Sequence, residues 1–192
     1  MSEFQIPRGK PPLPRCYWVV ESMLLAGSYV GRPEPKPHLE RVSGLFDAGI
    51  RTFINLMEEE EVNPEGVPFT PYGKDLREIA DRSQEQVECL RFPIKDRDIT
   101  SNERMNEILA AIDRSVADTR PVYVHCYGGI GRTGTVVSCW LLRHGYATVD
   151  NVFEILRLLR QADEERSWRE APENDKQKSF VLQWGSVHGC KS

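Results

Sequence analysis

Paired cysteines are missing from this 192-residue chain. Its five cysteines, Cys16, Cys89, Cys126, Cys139 and Cys190, are odd in number and scattered, with no C-x-x-C spacing. That argues against a disulfide framework or a cysteine zinc site and points to reduced thiols in a cytoplasmic protein. Cys190, third from the end, does not fit a prenylation signal. A basic excess is missing as well: the formal net charge is -4, which argues against a general nucleic-acid binder. No apolar run approaches the length of a membrane span. The opening stretch, Met1 to Arg15, carries prolines and charges but not the apolar segment of a signal peptide. Internal repeats and low-complexity tracts are absent too. What remains is ordinary soluble composition, 40% hydrophobic and 28% charged, in a chain long enough to bury one substantial core.

The elements follow from periodicity and punctuation. Residues 1–15 form an irregular lead-in, since Pro7, Pro11, Pro12 and Pro14 remove donors and fix φ. A single domain over 16–192 follows. Tyr17–Val20 and Met23–Ala26 suggest a hairpin, and prolines 33, 35 and 37 keep the next stretch irregular. From His38, the spacing of Leu39, Val42, Leu45 and Phe46 predicts a helix stopped by Gly49. Ile50–Leu56 and Val87–Phe92 read as strands, with a weaker helix over Gly73–Gln86 between them. Thr100 and Glu103 fit a capping box ahead of a helix that buries Met105, Ile108, Leu109, Ile112 and Val116. A strand over Val122–His125 precedes helices over Thr135–His144, around Val152–Leu159, and around Phe180–Trp184. Strands alternating with helices imply an α/β domain with a central, mostly parallel sheet flanked by helices on both faces.

One stretch concentrates chemistry: His125-Cys126-Tyr127-Gly128-Gly129-Ile130-Gly131-Arg132-Thr133. A strand feeds a glycine-rich turn that opens onto a helix N-terminus, where free N–H groups and the helix dipole favour an anion. Glycine makes up about 7% of residues, so three at fixed places arise by chance roughly once in three thousand positions. A nucleotide P-loop would need lysine where Arg132 stands. A papain-like pair fails because neighbours on a strand point to opposite faces, so His125 is badly placed as a base for Cys126. His125 is expected instead to brace the loop through hydrogen bonds to backbone.

His125-Cys126-x5-Arg132-Thr133 resembles the signature of the cysteine-dependent protein tyrosine and dual-specificity phosphatases. The similarity in element order covers roughly residues 16–187 and lies closest to the compact dual-specificity branch. The resemblance implies phosphomonoester hydrolysis through a cysteinyl-phosphate, without metal or other cofactor. It assigns Cys126 as the nucleophile, in an electropositive setting that favours a thiolate. Arg132 offers a planar fork to two phosphate oxygens. The backbone of Tyr127, Gly128, Gly129, Ile130, Gly131 and Arg132 surrounds the remaining oxygens. Thr133 is expected to donate its hydroxyl to the Cys126 sulfur, or simply to cap the helix.

The family also keeps an acidic residue on a loop about thirty residues before the cysteine. Asp96, after Pro93-Ile94-Lys95, occupies that place and is favoured over Asp98; a proline usual in that loop is replaced by Thr100. Lys95 and Arg97 flank it and are either solvated or able to meet a second anionic group. The run Glu58–Glu61 either supplies a carboxylate that orients Arg132 or is solvated, the latter expected for most of it. Glu173-Asn174-Asp175-Lys176-Gln177 resembles the water-positioning segment of tyrosine phosphatases, with Glu173 replacing its leading glutamine. Three functions stay open: a monomeric phosphatase acting on phosphotyrosine and also phosphoserine or phosphothreonine in proteins; a phosphatase of inositol phosphates or phosphoinositides; and a pseudophosphatase that only grips phosphate.

Overall fold

The computed structural model describes residues 4–189, and over residues 4–15 the lead-in carries no strand or helix. Leu13 is nevertheless buried, and Phe4 and Ile6 pack on the core surface. The expected hairpin follows as β1 (Cys16–Val20) and β2 (Leu24–Ser28), antiparallel with Cys16 opposite Gly27. Cys190 lies outside the described residues. The other four cysteines are free thiols.

Helix α1 (Pro35–Asp47) begins inside the stretch expected to be irregular. The physical reason is positional: first-turn N–H groups have no intrahelical acceptor, so Pro35 and Pro37 remove donors the helix does not use. Val42, Leu45 and Phe46 are buried, whereas Leu39 is 48% exposed and His38 takes its place on the inner face. Gly49 ends the helix at φ +87, with its N–H donating to Phe46 and that of Ile50 to Leu45, a Schellman arrangement.

The remaining strands and α-helices are β3 (Thr52–Asn55), α2 (Gly73–Arg82), β4 (Glu88–Arg91), α3 (Asn102–Ala117), β5 (Val122–Cys126), α4 (Gly131–Arg143), α5 (Val152–Leu159), continued by a 3-10 turn at Arg160–Ala162, and α6 (Asp175–His188). Helix α2 stops before Gln86 because Gln84 turns left-handed at φ +57. The cap of α3 shifts by one residue: Ser101, not Thr100, accepts from the Arg104 N–H at 3.2 Å. Helix α4 starts at Gly131 rather than Thr135, so Arg132 and Thr133 belong to its first turn.

The sheet order is β1-β2-β5-β3-β4, parallel except for the β1 edge. The chain runs outward from β2 to β3 to β4 and then returns to insert β5 in the middle. Right-handed crossovers therefore put α1 and α2 on one face and α3 on the other. Accordingly α1 packs on α2, while α4 packs against α3, α5 and α6. All five residues of β5 are buried, as a strand covered on both faces requires. Its carboxyl end lies where the strand order reverses, the place where open α/β sheets bind ligands. No helix among the described residues is long and apolar enough to cross a membrane.

Candidate active site

Cys126 is the last residue of β5 and only 3% exposed. The loop that follows is shaped from outside. Gly129 has φ +72, and a Cβ there would sit 2.5 Å from the Gly27 carbonyl carbon and 2.8 Å from the Ser28 nitrogen. Backbone meets backbone, so only glycine fits. A Cβ on Gly131 would lie 2.0 Å from Glu173 Oε1, so the segment leading into α6 presses on the loop as well. The Tyr127 carbonyl accepts from the Tyr29 N–H at 3.1 Å, and the His125 carbonyl from the Leu56 N–H at 2.9 Å. Helix α4 has neither a side-chain cap nor an acidic residue in its first turn. Its leading N–H groups are thus left for a ligand, beside the positive end of a 13-residue helix.

Arg132 reaches back across the loop. Its side chain is 2% exposed, and it donates to Glu61 through Nη1 (2.6 Å) and Nη2 (2.8 Å), a fork gripping both carboxylate oxygens. Nη1 also donates to the Ile94 carbonyl at 3.0 Å, and Nη2 to Asp96 Oδ1 at 2.8 Å. Burial alone would lower the Arg132 pKa; the hydrogen bonds to Glu61, with the nearby Cys126 and Asp96, outweigh it and push the pKa up. Of the acidic run, Glu58, Glu59 and Glu60 are exposed and Glu61 alone orients the arginine.

The two loop aspartates separate cleanly. Asp98 faces away, bonded to Lys176 Nζ at 2.5 Å and to the Ile99 N–H at 2.7 Å. The Lys176 hydrogen bond is the main reason its carboxyl is held below the usual range. Asp96 is the one beside Arg132. Lys95 and Arg97 are exposed. Asn174 Nδ2 donates to the Arg97 carbonyl (3.0 Å) and Gln177 Nε2 to the Asp98 carbonyl (3.3 Å), so the start of α6 pins this loop. Gln177 is fully buried, and its Oε1 accepts from the Glu173 N–H at 3.1 Å. Both ends of that amide are engaged in structure rather than turned toward a water.

One expectation needs correction. The Thr133 hydroxyl is buried and makes no hydrogen bond to the Cys126 sulfur or to any other group among the described residues. His125 is braced by a side chain as well: its Nε2 lies 2.7 Å from the Tyr72 hydroxyl. Tyr72 was hidden among loop prolines, and only the sheet brings it under β5.

Burial pushes the His125 pKa down from 6.5 to about 3, helped by Arg91 and Arg132 against a raising contact with the Cys126 backbone. The folded protein keeps this imidazole neutral, while the unfolded chain takes up the proton near pH 6.5. Its contribution to stability is therefore full above pH 6.5 and is lost progressively as pH falls toward 3. A melting series across that window should show a falling transition temperature in the parent. In His125→Asn this part of the acid slope should disappear; an unchanged slope would show that other groups carry it.

A buried cysteine at the mouth of an anion-ready loop, an arginine gripped by a distant glutamate and an overhanging aspartate define a phosphatase domain of the cysteine-dependent type. The chain belongs to the PTP-SAK family, described as Swiss Army Knife protein, DSP-PTPase phosphatase domain, whose model matches residues 13–177. The uncharacterized protein MJECL20 of Methanocaldococcus jannaschii is 34% identical over 99 residues, which span 52% of this chain and 60% of that protein. Among solved structures, Tk-PTP in its active form superposes with a TM-score of 0.60 at 23% identity, covering 95% of this chain and 99% of that one. PTPMT1 in complex with PI(5)P gives a TM-score of 0.64 at 17% identity, covering 88% of this chain and 94% of that one. These likenesses show the fold.

Proposed function

We propose that the protein hydrolyses phosphotyrosine, and also phosphoserine or phosphothreonine, in protein substrates through a phosphate covalently held on Cys126. The observation that carries this reading is Arg132, in the first turn of the helix onto which the Cys126 loop opens, anchored by Glu61 and sharing Nη2 with Asp96. In the first step the Cys126 thiolate attacks phosphorus. The S–P bond forms, the bond to the leaving oxygen breaks, and Asp96 gives that oxygen its proton. In the second step water attacks phosphorus, Asp96 takes its proton, and the S–P bond breaks to return the thiolate and inorganic phosphate. Throughout, the loop N–H groups and Arg132 hold the non-bridging oxygens as charge spreads over them. An incoming phosphate takes the Nη2 donor that Asp96 occupies, which frees the aspartate to turn toward the leaving group.

An aromatic substrate suits the wall beside the loop, where Tyr127 and Phe69 lie 5.1 Å apart and Phe69 and Tyr29 5.0 Å apart, measured between ring centroids. A phenyl ring entering on a phosphate tether meets apolar faces there. The free thiols support a reducing setting such as the cytoplasm, with the chain acting as a monomer.

Rapid acid quench of the protein turning over para-nitrophenyl phosphate should leave one phosphate on the Cys126 peptide by mass spectrometry. Its absence there, with turnover continuing, would overturn the reading. Asp96→Asn should slow hydrolysis by about 10²–10⁴-fold for poor leaving groups and far less for nitrophenolate, because general acid catalysis matters most where the leaving oxygen is basic. If Asp98→Asn shows that pattern instead, the acid is misassigned.

A further inference from the structure

The proposed proton donor, Asp96, stands on a strained turn. The Asp98 N–H donates to the Lys95 carbonyl at 3.0 Å, closing a four-residue turn with Asp96 second and Arg97 third. Arg97 is left-handed at φ +60, a conformation that turns usually give to glycine or asparagine. An arginine persists there only where the surroundings hold its backbone. Ahead of the turn, the Ile94 N–H donates to the Leu56 carbonyl at 3.0 Å, and the Ile94 carbonyl accepts from Arg132 Nη1. Lys95, Asp96 and Arg97 are themselves exposed, so core packing does not hold the turn.

The hold comes from the start of α6, 77 positions further along the chain. Asn174 caps that helix and uses both ends of its amide. Oδ1 accepts from the Gln177 N–H at 3.0 Å, and Nδ2 donates to the Arg97 carbonyl at 3.0 Å. The reverse orientation would set oxygen against carbonyl and NH2 against N–H, so the two partners fix the amide. Gln177 Nε2 takes the next carbonyl, that of Asp98, at 3.3 Å, and Lys176 Nζ takes the Asp98 carboxylate at 2.5 Å. Serine or aspartate would cap the helix as well as asparagine does. Neither would also hold the Arg97 carbonyl: a carboxylate has no donor, and the shorter serine stops at the cap.

We propose that Asn174 is a positioning residue for Asp96: by holding the Arg97 carbonyl it keeps the acid's backbone in place while the carboxyl swings from Arg132 to the leaving oxygen. The swing has room, since the Asp96 side chain is 54% exposed and tied to Arg132 Nη2. Without the hold, the turn relaxes out of its left-handed conformation and carries the carboxyl with it. A misplacement of about 1 Å costs up to about 100-fold in rate, so a small relaxation is enough to be measured. The inference rests on the phosphatase reading with Asp96 as its acid, but the hold on the turn can be measured without turnover.

The test uses the intact chain with phenyl phosphate, whose leaving group is poor, and para-nitrophenyl phosphate, whose leaving group is good. Asn174→Ser should lower kcat/KM for phenyl phosphate by about tenfold, part of the roughly 10²–10⁴-fold that general acid catalysis supplies. For para-nitrophenyl phosphate the loss should stay under about twofold, and the melting temperature should stay near the parent's because the cap remains. Asn174→Asp, which caps without the donor, should repeat the pattern. In a chain that already carries Asp96→Asn, Asn174→Ser should cost under about twofold on either ester, since nothing is left to position. Equal losses on both esters, no loss on phenyl phosphate, or the full loss again beside Asp96→Asn overturns the role. If the parent turns over neither ester, the phosphatase reading falls on its own. Hydrogen exchange then decides the hold: faster exchange of the Asp98 N–H in Asn174→Ser supports it, and unchanged exchange overturns it.

Discussion

Serine in place of Cys126 should lower turnover of an aryl phosphate by about 10⁴-fold or more, the scale seen when a covalent nucleophile is removed. The hydroxyl is nearly the same size as the thiol, so the loop that Gly27 and the α6 entry shape around it should keep its form. A serine hydroxyl is not ionised at neutral pH and has no neighbouring base here, since the imidazole of His125 is turned to Tyr72. Binding should therefore survive where chemistry does not. The measurement is a pair: steady-state hydrolysis of para-nitrophenyl phosphate, and calorimetric binding of a phosphotyrosine peptide to the variant. Residual turnover near the parent rate would remove Cys126 from the reaction. Loss of both turnover and binding would show that the substitution collapsed the loop.

Arg132→Lys should cost about 10²–10³-fold in kcat/KM, comparable to removing a preorganised donor from a charge-stabilising site. Lysine keeps the charge but not the fork, and here the fork has two tasks at once. It grips both oxygens of Glu61 while the second Nη2 hydrogen, now on Asp96, stays available to be taken over by a phosphate. An ammonium group must choose one. Glu61→Ala attacks the same arrangement from the other side, leaving a guanidinium that is 2% exposed with only the half-exposed Asp96 as its acidic partner. Breaking a pair this buried should destabilise the fold by about 3 kcal/mol, read from the midpoint and slope of a denaturant titration. A change under about 0.5 kcal/mol would place the pair with ordinary surface contacts.

The core of the site was legible because it is local. Cys126, the glycines, Arg132 and Thr133 follow one another in the chain, and strand-turn-helix geometry alone says what such a stretch can hold. The alternation of elements was equally legible, and the sheet follows it. What escaped depends on contacts between segments far apart in sequence. Glu61 looked like its three neighbours until the fold put it against Arg132. Tyr72 had no periodic signal, and Lys176 gave no hint that it would claim Asp98. Pro35 misled in a different way: a proline breaks a helix interior but suits its first turn, and position within the helix was unknown.

The contact between Gly27 and Gly129 has a consequence for how the protein becomes active. The mould for the phosphate loop is the N-terminal hairpin, made early in the chain, while the loop itself comes only after most of the sheet has been supplied. Such a contact cannot form until a very long stretch of chain has closed. The surroundings of the thiol therefore depend on the pairing of β2 with β5, two segments far apart in the chain. A chain clipped between the hairpin and α1 would retain the nucleophile, the arginine and the acid in their order, and would have nothing to press the loop into shape.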